Sequence, residues 1–214
     1  MAILVTLLAV SLLCSTIALA ASPPTFDLTN YDACLSPSWV EPIDVTGDGR
    51  LDLVVSGEGD DSVVVLEGDG HGDFAFASTV YSGGDGPYSL DVAELTGDGL
   101  DDVAVVNRWS KTVTILAGDG EGGFTLLRSI AVGIEATDVK AMDLDEDGDL
   151  DLVSCNMWTT DLNTLINDGT GVFTRVDVAL PDKGATVMGY GDLNADDHVD
   201  VVVGHYWGPR PACC

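Results

Sequence analysis

The chain has 214 residues, 46% of them hydrophobic, and carries 36 Asp and Glu against 8 Lys and Arg, which gives a formal net charge of −28. Binding to nucleic acid or to an anionic membrane surface needs a basic face, so this charge makes both poor partners. The apolar fraction is too high for a disordered chain, and we therefore expect a folded domain in which the acidic residues are concentrated at particular places.

The first predicted element, residues 1–21, has the features of a secretory signal peptide. It is an apolar run that ends in the small-residue pattern Ala18-Leu19-Ala20, followed by Ala21, and signal peptidases cut after such patterns. No Lys or Arg precedes the apolar run, which leaves an uncleaved anchor as the alternative. No later segment reaches the ~20 apolar residues of a membrane span. We therefore expect a secreted mature domain, residues 22–214, held at the cell surface only if a further C-terminal region anchors it.

Two landmarks recur along the rest of the chain at a nearly constant interval. The first is an acidic motif, in the copies DVTGDGRLD from Asp44, ELTGDGLDD from Glu94, DLDEDGDLD from Asp143 and DLNADDHVD from Asp192. The second is a glycine-rich turn, in the copies GDGHGDF, GDGEGGF and NDGTGVF, which end at Phe74, Phe124 and Phe173. Because both landmarks keep a step of 49 or 50 residues, the sequence indicates internal repeats.

Between the landmarks the sequence is typical of β-strands. A short Val-rich run without helical period follows each acidic motif, and a second run of strand length precedes each glycine-rich turn. One more strand before the acidic motif and one starting at the Phe of the turn give each unit four strands, the signature of a β-propeller blade. The sequence therefore predicts an all-β propeller in approximate units 38–87, 88–136, 137–185 and 186–214.

The predicted propeller is incomplete. Propellers typically have four to eight blades, whereas this sequence holds three whole blades and two strands of a fourth. The segment TFDLTNYD, from Thr25, occupies the register of a fourth strand and is left over as one outer strand. We therefore expect a partial chain with three to four blades rather than a closed ring.

The acidic motifs have the spacing of a cation-binding loop. Numbered from 1 to 9, each copy has an oxygen-bearing side chain at positions 1, 3, 5 and 9, and three of the four copies have Gly at position 6. Calcium takes six to eight oxygen ligands at ~2.3–2.6 Å, which a flexible loop can supply from alternate side chains and the carbonyl of position 7. Calcium is favoured over magnesium, because magnesium tends to keep several of its water ligands.

Two other interpretations of these loops are weaker. An EF-hand needs a Glu at position 12 and helices on both sides, but position 12 lies in predicted strands and is Val55, Val105, Ser154 or Val203. A solvated Asp-Gly turn needs only one or two Asp, and two like charges ~4 Å apart repel by ~4 kcal/mol at an effective dielectric near 20. We therefore expect about one calcium ion per repeat, bound most strongly by the loop at Asp143, which has four carboxylates.

These features resemble the FG-GAP or VCBS repeats of integrin α-chains and of many secreted proteins. The resemblance rests on the loop pattern D-x-[DNT]-x-D-G-x-x-D, the Val-rich strand after it and the glycine-rich turn ending in Phe, and it covers essentially everything after the signal. It implies a β-propeller whose loops bind calcium through the side chains of positions 1, 3, 5 and 9 and the carbonyl of position 7. The implied ligands are Asp44, Thr46, Asp48, Arg50 and Asp52; Glu94, Thr96, Asp98, Leu100 and Asp102; Asp143, Asp145, Asp147, Asp149 and Asp151; and Asp192, Asn194, Asp196, His198 and Asp200. The departures are Glu94 at position 1, Asp197 in place of Gly at position 6, and fewer units than the family's usual seven.

A second periodic feature lies between the second and third strands of the units. It comprises three tryptophans spaced 49 residues apart and a polar residue two positions before each of them, namely Asn107 and Trp109, Asn156 and Trp158, and His205 and Trp207. On the face opposite the calcium loops, such side chains could stack on and hydrogen-bond a sugar, or anchor a protein. The alternative, that each Trp packs as core between neighbouring blades, is the stronger one from the sequence alone.

The cysteines outside the signal give less information. They are Cys34, Cys155, Cys213 and Cys214, and four cysteines in an exported chain allow three disulfide pairings. One conceivable bridge joins Cys34 to the C-terminal pair. Cys155 lies in a predicted strand, where a buried free thiol is common.

No catalytic motif accompanies the repeats. The sequence has no G-x-S-x-G, no H-E-x-x-H and no phosphate-binding glycine loop that opens a helix, and the cation loops leave no carboxylates over in a distinctive acid–base pair. We therefore expect a secreted calcium-binding propeller that is not an enzyme and acts as a binding or adhesion module for an extracellular protein or carbohydrate. The alternative is the propeller portion of a larger exported polysaccharide-active enzyme, with its catalytic residues in another part of that protein.

Overall fold

The computed structural model describes the backbone of residues 2–7 and 26–206 and the side chains of residues 29–206. The strands in these ranges are β1 (Ala2–Leu7), β2 (Phe26–Tyr31), β3 (Pro37–Ile43), β4 (Asp52–Gly57), β5 (Ser62–Gly68), β6 (Phe74–Tyr81), β7 (Pro87–Ala93), β8 (Asp102–Asn107), β9 (Thr112–Gly118), β10 (Phe124–Ala131), β11 (Ala136–Met142), β12 (Asp151–Asn156), β13 (Asp161–Asn167), β14 (Phe173–Ala179), β15 (Ala185–Gly191) and β16 (Asp200–His205). In the described ranges no helix has the length and apolar character that crossing a membrane requires.

The strands form the predicted propeller blades. Three antiparallel four-stranded sheets follow one another as blades 1, 2 and 3, in the orders β3–β4–β5–β6, β7–β8–β9–β10 and β11–β12–β13–β14, and β15–β16 form the start of blade 4. The first strands of successive blades lie against one another, β3 against β7, β7 against β11 and β11 against β15. The described sheets do not close into a ring, which agrees with the expectation of an incomplete propeller.

The N-terminal strands lie outside this series of blades. β1, which belongs to the predicted signal peptide, pairs in parallel with β2, the strand expected from the segment TFDLTNYD. The end of β2 packs on blade 1, where the rings of Tyr31 and Phe74 meet edge to face with their centroids 5.5 Å apart. Most of the predicted signal peptide and its cleavage site lie outside the described residues, as do Trp207, Cys213 and Cys214.

The apolar core lies between the blades. The second strands, β4, β8 and β12, are buried along their whole length, whereas the outer strands β6, β10 and β14 are mostly exposed. One cluster joins blades 1 and 2 through residues such as Val54 and Val103, and another joins blades 2 and 3 through Ile115 and Leu152. A strand covered on both faces has no polar side, which is why the sequence after each acidic motif is continuously apolar instead of alternating.

The two cysteines with described side chains are separate from each other. Cys155 is buried in β12 beside the hydroxyl of Thr137, with 3.4 Å between Sγ and Oγ1, and burial raises its pKa to about 12. Cys34 is half-buried, and desolvation followed by the charge of Asp60 raises its pKa to about 11. Cys155 is therefore a core residue, and the pairing of Cys34 with the C-terminal cysteines stays a prediction.

The loops between second and third strands lie at one end of the blades and are fixed by their backbones. In blade 2, the Arg108 N–H donates to the Gly86 carbonyl (2.8 Å), and the Val132 N–H donates to the Lys111 carbonyl (2.9 Å). The same two bonds recur in blade 1, from Glu58 to Ser36 and from Ser82 to Asp61, and in blade 3, from Met157 to Glu135 and from Leu180 to Thr160. Each of these loops is therefore held by the chain that enters its blade and by the chain that leaves it.

The acidic loops and the glycine-rich turns lie at the other end, and the first and second acidic loops contact the turn of the next blade. The Gly122 N–H donates to the Val45 carbonyl at 3.1 Å, and Asn167 Nδ2 donates to the Leu95 carbonyl at 3.0 Å. The approach is closest at Gly97, where φ is +78° and an added Cβ would lie 2.3 Å from the carbonyl oxygen of Gly169. A glycine is therefore required there for contact between blades as well as for backbone conformation.

This contact predicts that alanine substitution at two glycines in the same loop position lowers stability by different amounts. Gly47→Ala, at φ +71° with 3.5 Å between the added Cβ and the Gly120 oxygen, should lower the free energy of unfolding by only about 1–2 kcal/mol, the strain of a left-handed alanine. Gly97→Ala has the same strain and must also displace the turn of blade 3, which adds about 1–3 kcal/mol. Urea denaturation in EDTA measures the free energy of unfolding of both variants.

Ala195, at φ +63°, shows that the fourth loop accommodates an alanine in this conformation. Gly47→Ala is therefore the matched control for backbone strain alone. Equal losses of stability for the two variants would contradict the proposed role of the contact between Gly97 and the next blade.

Candidate cation sites and a candidate binding face

The four acidic loops are neighbours on one face of the molecule. Partial burial, followed by the charges of Asp44 and Glu94 in two different loops, raises the pKa of Asp101. Partial burial also raises the pKa of Asp149, and the charges of Asp147 and Glu94 raise it further. Glu146 of the third loop contacts the ring of His198 in the fourth. Successive loops thus sense each other's charge, as expected for a continuous acidic face.

Position 1 organises the backbone of its own loop. The carboxylate of Asp44 accepts hydrogen bonds from the N–H groups of Asp48 (3.2 Å) and Gly49 (2.8 Å). Asp143 accepts the equivalent of the second bond from Gly148 (3.1 Å) and another from Glu146, one position earlier than Asp48 in the loop (2.7 Å). The loop therefore wraps around the side chain that the sequence assigns as its first ligand.

Position 5 holds the backbone of position 7, whose carbonyl is the predicted main-chain ligand. Asp48 Oδ1 accepts a hydrogen bond from the Arg50 N–H at 2.8 Å, and Asp147 Oδ1 accepts one from Asp149 at 3.0 Å. The same bond joins Asp98 to Leu100 and Asp196 to His198. All four loops thus share one local geometry.

Position 9 has a structural role that the sequence did not reveal. Asp52, Asp102 and Asp151 are completely buried at the start of the second strands. One oxygen of Asp151 accepts a hydrogen bond from the Leu144 N–H (2.9 Å) and the other from the Asn167 N–H at the end of the third strand (2.8 Å). Asp52 binds the N–H groups of Val45 and Gly68 in the same way, and Asp102 binds those of Leu95 and Gly118. Each carboxylate therefore ties its acidic loop to the third strand.

The third loop brings three carboxylates together. Asp143, Asp145 and Asp151 each place one oxygen within 4.8 Å of the other two, and the described residues contain no second group of this kind. Two oxygens that bind one calcium ion at ~2.4 Å lie at most ~4.8 Å apart, so this all-oxygen set fits a single ion. In the first two loops position 3 is Thr46 or Thr96, a neutral ligand.

The fourth loop keeps the conformation of the others although it lacks the glycine at position 6. Asp197 stands there at φ +68°, close to +84° for Gly49 and +96° for Gly148, and Asp is one of the few residues that adopts this region readily. Desolvation raises the pKa of Asp192, but hydrogen bonds from the N–H groups of Asp197 and Ala195 outweigh it and hold the pKa below its usual range. The irregular sequence of this loop therefore leaves its fold intact.

The residues predicted for the opposite face divide into two groups. Asn107 and Asn156 are buried, and their Nδ2 groups donate to Thr114 Oγ1 (2.9 Å) and Asn163 Oδ1 (2.9 Å) within their own blades. Trp109 and Trp158 are 53% and 42% exposed, so they are surface residues rather than the interblade core. His205 is partly exposed near the carbonyl of Lys183, and Trp207 lies beyond the described part of the chain.

Sequence reasoning missed an ion pair beside these tryptophans. Arg108 Nη2 lies 2.9 Å from Glu135 Oε2, which joins blade 2 to blade 3. Hydrogen bonds from Arg108, aided by Trp158, lower the pKa of Glu135 despite some desolvation. The sequence contains one hint of this pair. Basic residues are scarce, with only 8 Lys and Arg in the chain, yet one of them directly precedes Trp109.

The two roles of the acidic loops can be separated by substitution. Asp151→Asn should lower the free energy of unfolding in EDTA by about 1.5–3 kcal/mol, because hydrogen bonds to a charged group are lost and an amide NH₂ is placed against a backbone N–H. Asp145→Asn, at an exposed position of the same loop, should leave that free energy unchanged or raise it, because it removes one of three mutually repelling charges. Equal stabilities of the two variants in urea titrations would show that Asp151 is not a structural tie.

Comparison with known protein families gives one match. The FG-GAP-like repeat model matches residues 44–105 and 94–154, which together span more than half of the chain and contain the first three acidic loops. Comparison with curated protein sequences gives no match.

Several solved structures share the fold. An Agrocybe aegerita lectin, described by its specific recognition of non-reducing terminal N-acetylglucosamine, is 25% identical with a TM-score of 0.55 over 79% of this chain and 46% of the lectin. A Lactobacillus plantarum protein is 18% identical with a TM-score of 0.58 over 72% of this chain and 44% of its own. A functionally unknown protein from Desulfotomaculum acetoxidans is 17% identical with a TM-score of 0.53, over 72% and 47% of the two chains. The chain thus spans about half the length of these structures. The matched repeats, with the acidic loops and the blades that agree with them, place the chain in the FG-GAP-like repeat family.

Proposed function

We propose that the protein is a secreted, calcium-binding propeller that acts as a non-enzymatic binding module for an extracellular carbohydrate or protein. The observation that carries the calcium assignment is the convergence of Asp143, Asp145 and Asp151 within 4.8 Å. Carboxylates so close together repel one another strongly unless a cation lies between them. The loops of the other repeats share the backbone geometry and should bind more weakly, since they have fewer carboxylates.

The assignment as a binding module rests on the surface rather than on the loops. Several loop carboxylates that could act as acid and base in an enzyme accept backbone hydrogen bonds instead, such as Asp44 from Gly49 and Asp151 from Asn167. The opposite face instead presents aromatic side chains to solvent. Aromatic residues are often found at the centre of binding sites. The likeness to a lectin that recognises terminal N-acetylglucosamine favours carbohydrate over protein as the ligand.

Calcium should stabilise the folded chain. A cation that binds only the native state raises the free energy of unfolding by RT ln(1 + [L]/Kd), or ~2.7 kcal/mol for each site at a hundredfold excess over Kd. We expect calorimetric titration of the EDTA-treated protein to show binding at several sites, and the melting temperature to rise with calcium. Asp145→Asn should remove the tightest site from the titration.

Asp182→Asn is the matched control, since it makes the same charge change at an exposed position between β14 and β15. It should leave both the titration and the calcium-induced rise in melting temperature unchanged. If calcium neither binds the native protein in mass spectra nor shifts its melting temperature, the calcium part of the proposal is wrong. Magnesium at the same concentration tests the choice of ion and should give a smaller shift.

A further inference from the structure

The junction between blades 2 and 3 carries a surface cluster that is unlike the rest of this face. We call Arg108, Trp109, Ile134, Glu135 and Trp158 the junction patch. Trp109 and Trp158 come from the loops between the second and third strands of the two blades, and Ile134 and Glu135 come from the connection that joins the blades. From this arrangement we propose that the junction patch is a combining site for one neutral saccharide, an inference that rests on the proposed function of the chain as a binding module.

The polar centre of the patch is rigid. The guanidinium carbon of Arg108 lies 4.9 Å from the ring centroid of Tyr88 and 4.8 Å from that of Trp109, so the side chain is held between two aromatic rings. Its Nη2 is 2.9 Å from Glu135 Oε2. Both side chains remain partly accessible, at 20% for Arg108 and 25% for Glu135. The pair therefore presents hydrogen-bond donors and an acceptor in a fixed arrangement, which lowers the entropy lost on binding.

The aromatic walls of the patch are also positioned by the backbone. The Trp109 N–H donates to the Asp85 carbonyl at 3.1 Å, and its ring lies so close to Gly86 that an added Cβ there would be 2.0 Å from Cδ1. On the other side, the Trp158 N–H donates to the carbonyl of the exposed Ile134 at 3.3 Å. Two large aromatic side chains thus lie beside the ion pair, and each keeps part of its surface exposed.

This combination fits the chemistry of a sugar ring. A pyranose has C–H groups that pack on an aromatic face and hydroxyl groups that both donate and accept hydrogen bonds. The guanidinium offers donors and the carboxylate an acceptor, and hydrogen bonds to charged groups are the stronger kind. An apolar peptide would instead cover Arg108 and Glu135 without satisfying them, which is unfavourable. The formal charge of −28 disfavours acidic sugars, so the saccharide is neutral.

The other blade junctions lack these groups. At the residues equivalent to Arg108, Trp109 and Glu135, the junction of blades 1 and 2 has Glu58, Gly59 and Gly86, so these three positions supply no guanidinium, no aromatic ring and no ion pair. The junction of blades 3 and 4 has Met157, Trp158 and Gly184, a tryptophan without an ion pair. We therefore expect one saccharide bound per chain within the described blades.

The test uses the calcium-loaded full chain and a panel of immobilised neutral oligosaccharides built from glucose, galactose, mannose or N-acetylhexosamines, with uronic acid oligomers as the acidic comparison. We expect binding to a neutral member and a stoichiometry of one by calorimetry. Trp109→Ala and Trp158→Ala should each weaken binding at least about tenfold.

Arg108→Lys keeps the charge but loses the planar fork of donors, and it should also weaken binding. Phe76→Ala, which removes an exposed aromatic ring from the outer strand of blade 1, should leave binding unchanged.

Melting curves and calcium titrations of every variant separate this inference from the proposal above. Normal calcium binding without binding to any saccharide overturns the inference and leaves the calcium assignment in place, and specific capture of a protein by the patch then identifies the other class of ligand. Saccharide binding that survives the loss of both tryptophans places the site elsewhere and also overturns the inference. If Trp109→Ala lowers the melting temperature, Trp109→Tyr, which keeps an aromatic face, should recover both folding and binding. Binding that persists in EDTA and disappears in the Trp variants supports the site even if the calcium assignment fails.

Discussion

The fold depends most on a buried carboxylate at the start of each second strand. Asp52, Asp102 and Asp151 lie where water cannot reach them, and each accepts backbone hydrogen bonds from the acidic loop and from the end of the third strand. A buried charge is tolerated only when such donors replace its lost hydration. Burial still raises the pKa of Asp102 and Asp151, although those backbone donors oppose the shift. The acidic loop is therefore an integral part of the blade.

This construction places like charges next to one another on a single face. The first two acidic loops pack on the glycine-rich turn of the next blade, as the bond from Gly122 to Val45 shows for the first, so the packing between blades sets the spacing between these loops. The pKa of Asp101 is raised by desolvation and then by the negative charges of Asp44 and Glu94, which shows the repulsion between neighbouring loops. A divalent ion bound in one loop would reduce the repulsion among the carboxylates of that loop and between them and those of the neighbouring loop. The proposed cation binding would therefore be coupled to the packing of the blades through this electrostatic repulsion.

The blades were predictable from the sequence because two landmarks repeat in register and because strands covered on both faces are continuously apolar. The direction in which individual side chains point was harder to predict. A Trp that occurs once per blade fits both a core and a surface position, and only the structure shows Trp109 to be exposed and Asn107 to be buried. The pair of Arg108 and Glu135 spans 27 residues and two blades. No repeat pattern in the sequence reveals this contact, because Arg and Glu each occur in only one copy of their respective repeat positions.

The same repeat that fixes the fold leaves particular side chains free to differ. At the loops opposite the acidic loops, the bonds that recur in every blade are made by backbone groups, such as the N–H of Arg108 to Gly86 and the N–H of Met157 to Glu135. The side chains at these positions do not take part in those bonds, so a charged residue, an aromatic ring or a glycine can occupy them without loss of the blade. At the acidic loops the side chains themselves make the bonds and stay nearly constant. One face is therefore constrained by its structural role, and the other can carry a binding site at a single junction.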